Sequence, residues 1–262
     1  MTTTAPSADV TERLVQVGQI QARVLVAGAG DPVLFIHGAG GLWWDPFLDA
    51  LAEGHTVYAV EHPGGGESDA LTHLPGIWEL VLFYDGLLDA LGLDTVQVVG
   101  HSFGGMVAAE FASNSPKRVS KLVLIAPIGF WRDDAPIPDI AGIPPEALPG
   151  LVLADPQSPL AAMLTPPADD PQALFEAAMR MASILHFIWP IPDKGLDRRI
   201  HRLSAPTLLI WGAQDKLVDP VYAEEFTSRL RDSRLELIDN AGHLPQLEAP
   251  DVVRRHVLGF LS

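Results

Sequence analysis

Short apolar runs punctuate the chain from residue 33 onward: Val33–Ile36 (VLFI), Val57–Val60 (VYAV), Val96–Val99 (VQVV), Leu122–Ile125 (LVLI), Leu208–Trp211 (LLIW) and Leu235–Ile238 (LELI). Runs this continuous suit strands covered on both faces, as in parallel sheets sandwiched between helices. Ahead of them, Leu14–Val17 and Ile20–Val26 alternate apolar and polar positions around Gly18, which predicts an antiparallel pair. Helix-compatible stretches lie between most of the runs. Asp45-Pro46 marks one start, with Asp as N-cap and Pro in the first turn. Residues 77–91 predict a helix stopped by Gly92, residues 103–113 another, 220–230 a third behind Asp219, and 250–261 a last one. The alternation predicts an α/β fold, with a mostly parallel central sheet flanked by helices.

One segment breaks this rhythm. Residues 129–194 hold 12 of the 23 prolines and no clear sheet strand. Within them, Asp170-Pro171 opens an apolar helix, QALFEAAMRMASILHF, which ends near Trp189-Pro190. An insertion of that length exceeds an ordinary loop, and it reads as a helical cap placed after the sixth core strand. The expected division is therefore a first part of the core over 1–128, a cap over 129–194, and a second part of the core over 195–262.

Composition narrows the function classes. At 262 residues, 48% hydrophobic and 19% charged, the chain can bury a sizeable core, which argues against global disorder. The net charge of −16 repels phosphate backbones and anionic membranes, so neither nucleic acid nor a membrane is an expected partner. The absence of cysteine removes disulfides, thiolate metal sites and a cysteine nucleophile together. The N-terminal MTTTAPSADVTERL is polar, with no secretory pattern, and no apolar run approaches the length of a span; a cytoplasmic location is expected. No HExxH pattern or clustered His/Asp spacing suggests a metal, and the Gly-rich GAGDP and PGGGES lack phosphate-loop spacing. No cofactor is expected.

The candidate chemistry begins at Gly100-His101-Ser102-Phe103-Gly104-Gly105, directly after VQVV and before a helix-compatible stretch. A serine between glycines at a strand-to-helix junction fits a nucleophile elbow. A serine hydroxyl needs a base to take its proton. His243, in NAGHLPQLEAP, follows the last apolar run and is the candidate base. Asp215, in LLIWGAQDKLVDP, lies just past the preceding run and is the candidate orienting acid, with Asp219 the rival better explained as a helix cap. The order Ser102, Asp215, His243 is that of the same architecture. His37-Gly38-Ala39-Gly40-Gly41 follows VLFI and is placed to supply oxyanion donors. Trp43, Trp131, Phe187 and Trp189 are candidate walls of an apolar pocket, whereas His37, His62 and His101 read as local structural residues.

These motifs together resemble the α/β-hydrolase-fold proteins with a cap, from about residue 14 to the end. HGAGG resembles the family's oxyanion loop, EHPGGGESD (61–69) its Pro-Gly-x-Gly-x-Ser turn, GHSFGG its elbow, and WGAQD and NAGHLPQLEAP its acid and base loops. The resemblance implies a Ser102–His243–Asp215 triad, with the Ala39 and Phe103 N–H groups as the oxyanion hole. It also implies a small ester-like substrate and hydrolysis of an apolar carboxylic ester or lactone through an acyl-enzyme. C–C bond hydrolysis, cofactor-free perhydrolysis and ligand sensing with slow turnover share the same residues and stay open. Ser102 departs from the haloalkane dehalogenases and epoxide hydrolases of this fold, which carry aspartate there. AGGLWWDPF departs from the Ser-Gly-Pro-Gly stretch of the ring-cleavage C–C hydrolases.

Overall fold

The computed structural model describes residues 8–66, 71–167 and 169–262. Most of the polar N-terminal tail and the Glu67–Asp69 end of the EHPGGGESD turn lie outside the described residues. The antiparallel pair is β1 (Thr11–Val17) and β2 (Ile20–Ala27), turned at Gly18, whose φ is 58°. Then follow β3 (Asp31–Ile36), α1 (Pro46–Ala52), β4 (His55–Val60), α2 (Ile77–Leu91), β5 (Val96–His101), α3 (Phe103–Asn114) and β6 (Val119–Ile125). Helices α4 (Leu148–Val152), α5 (Ala161–Leu164) and α6 (Pro171–Ile188) come next, then β7 (Thr207–Gly212), α7 (Tyr222–Thr227), β8 (Ser233–Ile238), α8 (Pro245–Glu248) and α9 (Pro250–Leu261).

The eight strands form one sheet in the order β1-β2-β4-β3-β5-β6-β7-β8, antiparallel only where β2 meets β1 and β4. Its two faces carry separate cores because side chains alternate along a strand. Leu34 and Ile36 of β3 join the cluster under α2 and α3, while Val33 and Phe35 join the cluster under α1 and α9. Two helix starts form as their sequences dictate. The Asp45 carboxylate accepts from the Leu48 N–H at 2.9 Å ahead of α1, and that of Asp170 accepts from Gln172 and Ala173 N–H ahead of α6. Each such cap stabilises its helix by about 1 kcal/mol.

Two elements differ from the sequence reading. The run LELI lies in β8, which is the edge strand. Having one neighbour rather than two, it leaves Leu237 54% exposed instead of covered on both faces. Helix α7 spans only Tyr222–Thr227, shorter than the expected 220–230. Asp219 bends the chain first: its Oδ1 accepts from the Val221 N–H at 2.8 Å, and tight i to i+3 bonds such as Ala223 N–H to Pro220 O occupy the approach.

Between β6 and β7, the described residues contain helices and turns but no strand. Helix α6 reaches the start of α3 through Phe187, which stacks on Phe103 with ring centroids 6.0 Å apart. No described helix is long and apolar enough to cross a membrane. Because β3, β5, β6, β7 and β8 run parallel, the loops that follow them open at the same edge of the sheet, where ligands of open α/β sheets bind.

Candidate active site

Ser102 stands between β5 and α3 with φ 54° and ψ −116°, a left-handed conformation that a serine adopts only when its surroundings impose it. The surroundings are close packing. A Cβ on Gly104 would lie 2.1 Å from the Ile36 carbonyl oxygen, and one on Gly100 would lie 2.5 Å from the Gly104 oxygen. The turn can therefore press against β3 only with hydrogen at both positions. Its backbone is held as well, since Ser102 N–H donates to Ile125 O at 2.9 Å and Ser102 O accepts from Met106 N–H at 3.1 Å. The hydroxyl is what remains free to point outward.

His243 approaches from the loop after β8. Its Nε2 lies 2.8 Å from Ser102 Oγ, and its Nδ1 lies 2.8 Å from Asp215 Oδ2. The other Asp215 oxygen accepts from the Leu217 and Val218 N–H groups, each at 2.9 Å, so the carboxylate cannot turn away. All three side chains are buried. Oδ2 on Nδ1 fixes the tautomer with hydrogen there, leaving Nε2 to accept from the serine. Asp219, the rival acid, is exposed and occupied with its own turn.

Beside Ser102 opens a cavity of about 290 Å³, whose wall includes Ala39 and Phe103. No backbone acceptor among the described residues takes the N–H of either one. Of the candidate wall residues, Trp131 and Trp189 line this cavity, whereas Phe187 sits behind Phe103 and Trp43 packs over Gly40. The rest of the wall is largely aliphatic, with Ile128, Ile184, Ile188, Leu217 and Val218 among its members. Among the described residues Asp139 is the only charged residue lining it, and no cation pairs with its carboxylate. The sequence reading missed Asp139 and the isoleucines. Asp139 lies on an irregular segment with no period to mark it, whereas Ile184 and Ile188 sit one turn apart on the predicted apolar helix α6, whose pattern does not say which element its buried face meets.

Beneath the HGAGG loop runs a buried imidazole chain. His37 Nδ1–H donates to Gly38 O at 2.6 Å, and its Nε2 accepts from the His62 N–H at 3.1 Å. His62 Nε2–H donates to His37 O at 2.9 Å, and its Nδ1 accepts from the Tyr84 hydroxyl at 2.8 Å. His101 Nε2–H donates to His243 O at 2.9 Å. The His37 and His62 rings, each donating through one nitrogen and accepting through the other, thus use the neutral form. Burial holds His37 well below the usual histidine range, His62 down to about 4 and, with His243 nearby, His101 down to about 3.

These depressed values set a pH dependence of stability. Below about 6.5 the unfolded chain binds protons at these histidines that the folded protein refuses, so their contribution is lost as pH falls. Asp45 acts in the opposite sense. Burial raises its carboxyl to about 6, so its contribution falls as pH rises from 3.8. Near pH 5, three histidines oppose one aspartate, and the histidines prevail. The urea midpoint is expected to be lower at pH 5 than at pH 7; an equal or higher midpoint would refute the buried neutral imidazoles.

The sequence model of the alpha/beta hydrolase family matches residues 33–256, a stretch that contains the whole constellation. The chain belongs to that family. It is accordingly a hydrolase. A 2-hydroxy-6-oxononadienedioate/2-hydroxy-6-oxononatrienedioate hydrolase of Klebsiella pneumoniae is 30% identical over 267 residues, covering 92% of this chain and 91% of that protein. The dihydrolipoyllysine-residue acetyltransferase component of the acetoin cleaving system of Cupriavidus necator is 40% identical over 105 residues, which cover 39% of this chain and 28% of that protein. Among solved structures, the 2-hydroxy-6-oxo-6-phenylhexa-2,4-dienoate hydrolase of Rhodococcus sp. strain RHA1 superposes with a TM-score of 0.79 at 23% identity, covering 97% of this chain and 99% of that one. The last likeness concerns the fold alone.

Proposed function

We propose that this hydrolase cleaves small or medium, neutral, apolar carboxylic esters or lactones, with Ser102 as nucleophile, His243 as base and Asp215 as its orienting acid. His243 Nε2 takes the Ser102 proton as Oγ attacks the carbonyl carbon. The oxyanion then receives the Ala39 and Phe103 N–H groups, a contribution of about 10²–10³ in rate per donor. Collapse expels the alcohol, which leaves with the proton from His243. A water deprotonated by the same histidine then releases the acid. Residues 129–194 act as the cap, supplying Trp131, Trp189 and the isoleucines of α6 as the walls that hold the substrate.

The charge of the cavity carries the choice of substrate. Among the described residues its wall is largely aliphatic and aromatic, contains no lysine or arginine, and includes one carboxylate without a cationic partner, Asp139. The second reading, C–C hydrolysis of a dienoate, takes support from the Klebsiella relative. That protein's named substrate is a dianion, however, and a carboxylate entering this cavity would meet no cation and one like charge. A buried charge without a partner is costly.

Comparison of kcat/KM for p-nitrophenyl valerate and the p-nitrophenyl half-ester of glutaric acid tests the reading, because the two acyl chains match in length and differ in terminal charge. The neutral ester is expected to be preferred by ~10-fold or more. Asp139→Asn is expected to narrow the ratio by ~5-fold, the worth of about 1 kcal/mol of exposed like-charge repulsion. Equal rates on the two esters, or faster cleavage of a dienedioate, would overturn it.

A further inference from the structure

We infer that Glu248 is a positioning residue for His243, one that ties the base to the segment between β6 and β7. The inference rests on His243 being the base, as proposed above. His243 has to satisfy two bonds of 2.8 Å simultaneously, yet it lies on an irregular loop with Asn240 at φ 56° and no strand partner to fix it. Its alignment depends on local tethers. Glu248 supplies more of these than any other side chain in the loop.

The Glu248 carboxylate gathers three backbone donors. Oε1 accepts from Gly242 N–H at 2.8 Å and from Leu244 N–H at 3.3 Å, the residues on either side of His243. Oε2 accepts from Ala154 N–H at 2.8 Å, just beyond α4. The same segment takes the His243 N–H itself, on Val152 O at 2.7 Å. Gly242 lies flat against it: a Cβ there would be 2.5 Å from Val152 O and 2.9 Å from Ala154 N. The backbone oxygen of His243 is held by His101. The base is thus clamped along its main chain, and Glu248 is the side chain that joins both flanks of the histidine to residues 152–154.

The chemistry of the side chain explains why a carboxylate stands here. Three converging N–H groups need an acceptor with no hydrogen of its own, and an ionised carboxylate offers about four lone-pair sites. Glu248 enters no salt bridge among the described residues, so these donors are what answers its charge. An amide would turn an NH₂ group toward one of the donors and leave a partly buried N–H unsatisfied. Aspartate would keep the charge but withdraw it by one methylene.

Full-length wild type, Glu248→Gln and Glu248→Asp, compared on p-nitrophenyl valerate with Ser102→Ala as control, test this. In Glu248→Gln, kcat is expected to fall by ~10²-fold, the cost of displacing a reacting group by about 1 Å, with KM within ~2-fold of wild type. Glu248→Asp is expected to fall in between. In protein labelled with ¹⁵N-histidine, the Nδ1–H resonance of the His243–Asp215 bond is expected to broaden in Glu248→Gln. That signal needs no substrate. A variant that loses only thermal stability, keeping kcat and the Nδ1–H signal, overturns the inference, because a merely structural residue behaves so. Turnover that persists in Ser102→Ala overturns the proposed function itself, whereas normal Ser102 dependence with unchanged Glu248→Gln overturns this inference alone.

Discussion

Ser102→Ala is expected to lower kcat on p-nitrophenyl esters by about 10⁴–10⁶, with KM changed little. The scale follows from what a serine hydrolase loses with its nucleophile; the residual rate over water comes from oxyanion donors and substrate binding. The structure makes this substitution clean. Apart from its backbone bonds, Ser102 touches its neighbours through one side-chain bond, Oγ to His243 Nε2. Alanine preserves the Cβ that the turn already accommodates, so the fold should survive, and circular dichroism would verify that. Wild-type rates in a folded Ser102→Ala protein would refute the mechanism outright.

Arg199→Ala is expected to cost about 3–5 kcal/mol of stability, the usual penalty for stranding one member of a buried ion pair. Glu110 sits on α3, 2% exposed, and its two oxygens meet Arg199 Nε at 2.8 Å and Nη2 at 2.5 Å. The same guanidinium donates to Lys194 O at 2.7 Å and lies 4.6 Å from the ring centroid of Trp78 on α2. Arg199 therefore fastens α2, α3 and the chain re-entering the core after the insertion. Its removal leaves a carboxylate buried without a partner on α3, the helix that directly follows Ser102. The melting temperature should drop on the order of 10 °C. The double variant Glu110→Met, Arg199→Met should recover most of the loss, since apolar replacement of a whole buried pair is often neutral. A drop of less than ~1 °C in Arg199→Ala would show the pair to be energetically idle.

The relation between sequence and structure differs from element to element. Runs such as VLFI and LLIW are strands because they are apolar on both faces, and that is local information. LELI carries the same signature, yet its strand lies at the edge with Leu237 exposed. Strand order is a property of the whole sheet, and no single run contains it. Asp45 and Asp170 cap helices as their Asp-Pro pairs indicate, because a cap is a contact between near neighbours. Asp219-Pro220 carries the same pair but caps a turn, with the helix starting later.

The candidate site divides in the same way. Ser102, His243 and Asp215 were readable because each sits in a loop just after an apolar run, and parallel strands bring such loops to one edge. Ser102 and His243, 141 positions apart, meet at 2.8 Å for that reason. Their glycines were readable as permissive positions, but the contact of Gly104 with the Ile36 carbonyl was not. Nothing in the sequence marks Glu248, in the NAGHLPQLEAP loop, or Tyr84, within the helix 77–91, as part of the site. Only their bonds distinguish them: one to both sides of His243 and to Ala154, the other to His62.

What the sequence by itself determined is the layering of helices on a mostly parallel sheet, the family, and the order of the serine, aspartate and histidine loops. Those follow from period, punctuation and short motifs, which act over a few residues. Tertiary structure alone decided that Trp131 and Trp189 line the cavity while Trp43 and Phe187 do not, that Asp139 is the one charged residue on its wall among the described residues, and that His243 is tied to residues 152–154. The physical reason is that burial and hydrogen-bond satisfaction depend on which distant groups converge at one point, and convergence is settled only when the sheet and the segment above it have packed.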